Sequence, residues 1–403
     1  MVMGIPAPTR VTWKSTTRAE GMPSASAADT PSKLRVLLAI EAAGGGAGRH
    51  VVDLALGLLD RGHQVTVVYC PLRAEPKFLG SMTRLAGRCS LHQLPMRRSP
   101  GPHDLPAVLA LRRIIRTTGP YDVLHGHSSK GGALLRLAGL GNAARQIYTP
   151  HALVTLSPGL GALAGWSYRS AERALSGITD ALICVSEEEA AHALEIGIAS
   201  QRIHVVPNGI AALPAADRGA VRAELGAAPD QVVIGFVGRI SEQKGVDRLI
   251  RAFAAMRGTD ARLVIVGDGP LLPDARQLAE TIGVAERTVF MGAADGPLLM
   301  AGFDLFALPS AYEGFPYVLL EALARGLPIV TTLVGGARAA VRDGRNGVIV
   351  PQGRIDALAA ALARLSGDPA LRQAMSAESR RISLDFTADR MLEQTLAVYR
   401  GDQ

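Results

Sequence analysis

The stretch LRVLLAIEAAGGGAGRHVVDLALGLL, residues 34–59, decides how the chain folds. Residues 35–41 are a short apolar run of strand length, glycines at 44, 45, 46 and 48 make a turn, and Val51, Leu54, Leu58 and Leu59 follow at helical spacing. A strand that runs through glycines into an amphipathic helix is a unit of a parallel sheet covered by helices. The same rhythm continues outward: strands are expected at 64–70, 123–127, 146–151, 181–187 and 203–208. After Ile210 the small, proline-containing stretch AALPAADRG reads as a hinge, and the rhythm then restarts. The second set of expected strands is 232–237, 262–266, 288–291, 305–308, 328–332 and 347–350, with helices near 245–257, 270–283, 316–325 and 354–365. Alternating strands and helices give an α/β class with two doubly wound parallel sheets facing across a cleft.

Length agrees, because 403 residues exceed the ~250 at which one core stops growing. The expected division is residues 33–210, a linker at 211–219, a second domain at 220–384 and a last helical segment at 385–403. Residues 1–32 lack an apolar core and are rich in Pro, Ser, Ala and Thr, so they read as a disordered lead-in and not as a secretory signal. Three scattered cysteines, with no CxxC, fit a reduced cytoplasmic setting. The net charge of +7 sits in the first half: residues 33–215 carry nineteen basic and twelve acidic groups, residues 216–403 twenty-one and twenty-two. With aromatics at only 4%, this excess points to phosphate or an anionic membrane surface and away from nucleic acid. Ordinary solubility charge is the plainer account. The longest stretch free of formal charge, 146–168, holds two prolines and three glycines and makes a poor spanning helix.

Four constellations could carry chemistry. Gly44, Gly45 and Gly46 open a helix, where backbone N–H groups and the helix dipole can hold a phosphate, or form a plain tight turn. A dinucleotide oxidoreductase fits poorly: Val51 replaces the third glycine of GxGxxG, and the next strand ends at Tyr69-Cys70 with no acid for a ribose diol. Arg239 and Lys244 flank the turn after the first strand of the second half, and Lys244 is the sole lysine among residues 216–403. A compact point charge is wanted there, or the loop is simply solvated. In YEGFPYVLLEALARG, residues 312–326, Pro316 and Gly326 frame a helix that holds Glu321, with Glu313 in the loop before it. A carboxylate there can accept two hydrogen bonds from a vicinal diol, or pair with Arg325 at i+4. The last set is His127 and His151, expected near one another at the ends of adjacent strands. No Asp-x-Asp pair, HExxH or local Cys/His cluster occurs, so no metal is expected.

Together these segments resemble the retaining GT-B glycosyltransferases of the bacterial group 1, family 4-like type, which act in lipopolysaccharide, exopolysaccharide and phosphatidylinositol mannoside synthesis. The most specific part is Glu313 and Glu321 with seven residues between them, followed by Gly326-Leu327-Pro328 and the Gly335-Gly336 loop. Val206-Pro207-Asn208-Gly209, Gly238-Arg239 with Lys244, and the glycines at 44–46 join it. The resemblance implies two Rossmann-like domains, the first for acceptor and the second for nucleotide sugar, with the last helix crossing back to the first. It implies that Glu321 holds ribose hydroxyls, and that Glu313 with the backbone of Gly314 and Phe315 meets the donor sugar. It further implies that Arg239 and Lys244 clamp the diphosphate, that Gly45 and Gly46 complete the clamp, that His151 lies at the sugar, and that His127 lines the acceptor side. HSSKGG and YTPHA are similar to stretches of exopolysaccharide and undecaprenyl-linked-sugar transferases, which implies a lipid-linked or polysaccharide acceptor. The implied donor is a UDP-sugar acting as co-substrate, with no cofactor. A nucleotide-sugar 2-epimerase of the same fold and a silent nucleotide-sugar sensor are the alternatives. A phosphorylase fits less well, because no second lysine is at hand in that half to anchor pyridoxal phosphate.

Overall fold

Short apolar strands buried on both faces need helices above and below, and the chain supplies them in two successive sets. In the computed structural model, which describes residues 32–256 and 259–402, the first sheet contains β1 Arg35–Ile40, β2 Gln64–Tyr69, β3 Ser90–Gln93, β4 Val123–His127, β5 Arg145–Thr149, β6 Ala181–Cys184 and β7 Ile203–Val205. Its order is β3-β2-β1-β4-β5-β6-β7, parallel throughout. The second sheet contains β8 Val232–Val237, β9 Ala261–Val266, β10 Thr288–Gly292, β11 Leu305–Leu308, β12 Ile329–Thr332 and β13 Gly347–Val350, in the order β10-β9-β8-β11-β12-β13. All but the last of the expected lead-in residues 1–32 lie outside the described residues. Leu34–Gln403 form one compact unit.

The doubly wound α/β fold read from the sequence is present in both halves. Strand ends differ in the first sheet. The run expected to 151 stops at Thr149, because Pro150 has no N–H for the ladder and His151 turns left-handed at φ 59°. The run expected to 187 stops at Cys184, since Ser186 caps the next helix by accepting from the Glu189 N–H. β3, an edge strand of four half-exposed or exposed residues, was not expected at all.

In such sheets ligands gather where the strand order reverses, outside the carboxyl ends of the strands. The reversal lies between β1 and β4 in the first sheet, where Ile40 is level with His127. In the second it lies between β8 and β11. The glycine loop follows β1, His127 ends β4, His151 lies just after the adjacent β5, Gly238-Arg239 follows β8 and Glu313 follows β11. The last helix, Ala388–Arg400, returns to the first sheet: Met391, Leu392, Leu396 and Tyr399 share a core with Val36, Leu38, Leu54 and Leu58. Each such leucine buried contributes about 1.5–3 kcal/mol. A Cβ on Gly57 would meet the Leu392 side chain, which is how closely that helix packs on Gly45–Asp60.

Candidate functional site

The first lobe gathers four histidines at one edge of its sheet. The turn after β5 holds His151 and Ala152 at φ 59° and 91°, left-handed values that cost a non-glycine residue about 1–3 kcal/mol. Glu189, from the helix Glu187–Glu195, offsets that strain. Its carboxylate accepts from Ala152 N at 2.8 Å, Leu153 N at 3.0 Å and Val185 N at 2.9 Å. Burial raises the Glu189 carboxyl to about 7, with the backbone bonds opposing. Held in this way, His151 Nε2 lies 3.1 Å from His127 Nδ1. His50, from the helix Gly45–Asp60, sets its ring 4.6 Å from that of His151. His125 completes the group, with Nδ1 2.7 Å from the Tyr399 hydroxyl and Nε2 2.8 Å from the Thr149 hydroxyl. Burial pushes His50 down to about 4, against its bond to Asn208. Burial first, then neighbouring imidazoles, hold His125, His127 and His151 well below the usual range. These rings are neutral near pH 7. The expected nearness of His127 and His151 is present, and His127 is fully buried.

The second lobe presents its charges on two loops. Lys244 closes a single tight turn, Glu242–Lys244, ended by Gly245 at φ 64°. Its ammonium lies 2.5 Å from the Glu313 carboxylate, both largely buried. Gln243 fixes the two loops together, receiving the Ala311 N–H at 2.7 Å and donating to the Tyr312 carbonyl at 2.9 Å. Arg239 is exposed and makes no hydrogen bond or ion pair among the described residues. Pro316 stands just before the helix Tyr317–Ala324, and Gly326 beyond it takes φ 70°, as a helix end of this kind requires.

The two lobes meet at these residues. A Cβ on Gly314 would lie 2.8 Å from the Ala152 nitrogen and 3.0 Å from the His151 carbonyl carbon, so the His151 turn rests on the Glu313-Gly314 backbone. Asn208 donates its amide to the Phe315 carbonyl at 2.7 Å and faces His50 Nδ1 at 3.0 Å. Glu188 accepts from the Gly336 N–H at 3.0 Å. Gly46 faces the Tyr317 ring, which a Cβ would approach at 3.3 Å.

One sequence reading needs correction. Glu321 is buried and pairs with Arg49 of the first lobe, whereas Arg325 donates to the Pro297 carbonyl at 2.9 Å. The exposed i,i+4 pair is therefore not formed. Arg49 also reaches Asp53 at 3.3 Å and lies 4.7 Å over the Tyr317 ring. Burial raises the Glu321 carboxyl, with the Arg49 charge opposing. The Gly45 N–H donates to the exposed Glu75 carboxylate at 2.9 Å, so an anion reaching Gly45 must displace Glu75. Arg49, His50, Asn208 and Glu189 were not singled out as site residues from the sequence. Asn208 lay in a quoted motif, but the others carry no local signal.

This arrangement has counterparts among known proteins. The model of Glycosyltransferase Family 4 matches residues 44–212, and that of Glycosyl transferases group 1 matches residues 217–382. The D-inositol 3-phosphate glycosyltransferase of Actinosynnema mirum is 34% identical over 304 residues, covering 70% of this chain and 72% of that one. The protein of the same name from Kribbella flavida is 30% identical over 392 residues, covering 88% and 90%. Among solved structures, Anabaena HepE in complex with UDP superposes with a TM-score of 0.77 at 22% identity, covering 91% of this chain and all 100% of that one. WaaG, a glycosyltransferase involved in lipopolysaccharide biosynthesis, does so at 0.71 and 21%, covering 91% and 100%. The histidine edge, the Lys244–Glu313 pair and the buried Glu321 thus lie in a chain that belongs to glycosyltransferase family 4, the group 1 glycosyl transferases, and is a retaining hexosyltransferase of GT-B fold that uses a nucleotide sugar.

Proposed function

We propose that the enzyme moves a hexose or N-acetylhexosamine from a UDP-sugar to a lipid-linked or polysaccharide acceptor, at the cytoplasmic face of a membrane that it touches from one side. The observation that carries this reading is the seating of the His151 turn on Glu313-Gly314, beside Lys244. It brings the backbone of the turn that bears His151 against the loop that bears the Lys244–Glu313 pair. The choice of uridine follows HepE, whose structure holds UDP.

In this reading the donor diphosphate draws Lys244 from Glu313 and takes up Arg239, which has no competing partner among the described residues. Glu321 accepts the ribose hydroxyls, and Gly45 and Gly46 complete the clamp as Glu75 yields. Glu313, the Gly314 and Phe315 backbone, and His151 lie at the sugar. Because the configuration is retained, the departing phosphate oxygen takes the acceptor's proton on the face that the acceptor attacks. Negative charge then grows on the diphosphate, where fixed cations help most in the transition state. Lys244→Ala should lower kcat about 10²–10³-fold with a smaller change in donor affinity. Unchanged turnover would refute the clamp.

The membrane side of the proposal rests on Leu163 and Trp166, 78% and 67% exposed on the helix Ala162–Ser176, which also carries Arg169 and Arg173. An apolar tip with arginines behind it suits an anionic bilayer surface. Among the described residues no helix is long and apolar enough to cross a membrane. A second reading follows from the relatives named D-inositol 3-phosphate glycosyltransferase: a soluble phosphoinositol acceptor, which the basic first lobe also suits. UDP release from a panel of UDP-sugars, with lipid-linked sugar or inositol phosphate as acceptor, separates the two. Donor alone yielding an epimer would instead identify an epimerase, and binding without UDP release a sensor.

A further inference from the structure

We propose that His50, His127 and His151 form a binding site for a divalent transition-metal ion of the zinc class, and that an ion held there blocks sugar transfer. The three residues come from a helix, a strand end and a loop, 101 positions apart at the extremes, and no local spacing announces them. One ring nitrogen of each lies within 4.8 Å of the others. A tetrahedral ion with Zn–N bonds of ~2.0–2.1 Å sets its ligand nitrogens ~3.3 Å apart. His127 Nδ1 and His151 Nε2 are already 3.1 Å apart. Ring centroids are separated by 5.5 Å for His50–His127, 4.6 Å for His50–His151 and 5.3 Å for His127–His151. Three imidazoles on one tetrahedral ion need about 5 Å, from the bond length plus the ring radius.

The hydrogen bonds settle which nitrogens are available. The Asn208 amide nitrogen donates to the Phe315 carbonyl, so its oxygen faces His50 Nδ1. That oxygen only accepts, so Nδ1 carries the proton and Nε2 the lone pair. An imidazole whose far N–H is held by a carbonyl is the usual posture of a metal ligand. His125, though its ring lies 3.9 Å from that of His127, has both nitrogens engaged by Tyr399 and Thr149 and stands behind the site. His127 Nε2 is buried with no partner among the described residues. In the metal-free protein one proton is shared between His127 and His151. When an ion binds, the ring that held the shared proton carries it on its far nitrogen instead, so the imidazoles stay neutral and the ion brings its full charge. Three imidazoles leave a fourth position for water, and nitrogen ligands suit zinc, copper and nickel over magnesium or calcium. Magnesium-containing buffer should therefore not fill the site. The blocking half of the proposal rests on the glycosyltransferase reading, because His151 lies against Glu313-Gly314. The binding half does not.

The test is cobalt(II) titration of tag-free, chelator-treated full-length protein, following the visible bands of tetrahedral cobalt, with zinc displacement afterwards. One equivalent should bind and be displaced by zinc. His50→Gln and His151→Gln should each lower affinity at least about 10–100-fold, and Asn208→Ser should do so through the lost orienting bond. His192→Gln, outside the trio, should bind as the parent does. Circular dichroism checks folding, and if His50→Gln fails to fold, His151→Gln in its loop carries the comparison. Absence of tetrahedral bands, or bands unchanged in the folded variants, overturns the site. In the UDP-release assay zinc should inhibit and EDTA should restore activity. Cobalt bands without inhibition overturn the blocking role and leave the donor reading intact.

Discussion

Lowering the pH from about 7 to about 5 shows how burial has set the charges around the cleft. His50 is held down to about 4 in the folded protein, whereas an unfolded histidine titrates near ~6.5. Acid therefore protonates the unfolded chain first, and the stability that neutral His50 contributes above ~6.5 is lost as the pH falls toward its folded value. At 1.36 kcal/mol per unit over ~1.5 units, the loss at pH 5 is about 2 kcal/mol. Glu189 has the opposite sign. Its carboxyl is raised to about 7, so its contribution is complete below the unfolded value of ~4.3 and is lost as the pH rises through 7. Going down from pH 7 to 5 it restores about 2 kcal/mol, and the two groups offset one another. His125, His127 and His151 then decide the outcome, because all three are pushed well below the usual range. Burial also raises Asp53 and Glu321, with the Arg49 charge opposing in both. Net stability should fall. Calorimetry across this range should show Tm dropping with pH, more steeply in Glu189→Gln, which lacks the compensating group. A Tm that is level or rising toward pH 5, or a variant profile parallel to the parent's, would refute the reasoning.

Three further outcomes follow from the contacts between lobes. Arg49→Ala should destabilise by about 2 kcal/mol, less than the ~3–5 kcal/mol of a wholly buried pair because Arg49 is 29% exposed. Glu321→Gln in the same chain should recover much of this, and additive losses in a melt series would count against the pairing. Gly314→Ala places a methyl against the His151-Ala152 backbone, which must shift, and should lower kcat about 10–100-fold together with a fall in Tm. Leu163→Ser with Trp166→Ser should abolish sedimentation with anionic vesicles while UDP release with a soluble acceptor persists; unchanged sedimentation refutes the membrane surface.

Much of the fold was legible because interior parallel strands must be apolar on both faces, and β1 from Val36, β8 throughout and β9 from Leu263 satisfy that with unbroken runs. Edge strands escape it. β3, Ser-Leu-His-Gln, has no β-branched residue and needs none, as it covers one side of the sheet only. At the site, Lys244 stood out because its half uses arginine elsewhere, and it meets Glu313. The partner of Glu321 was illegible: Arg325 is the local candidate four positions on, whereas Arg49 lies 272 positions away and is chosen by the packing of the lobes. His50 was hidden for a similar reason, since a histidine in an amphipathic helix reads as core until its neighbours are known.

The return of the helix Ala388–Arg400 to the first sheet orders events at the ribosome. The first lobe has all its strands once Val205 is made, yet the residues that seal one of its faces, 391–399, are translated only after the whole second lobe. At ~5–20 residues per second that interval is roughly 10–40 s, during which an apolar furrow along Leu54 and Leu58 stays open to chaperones. A stop codon placed just before position 388 would thus harm first the half of the protein that was synthesised earliest.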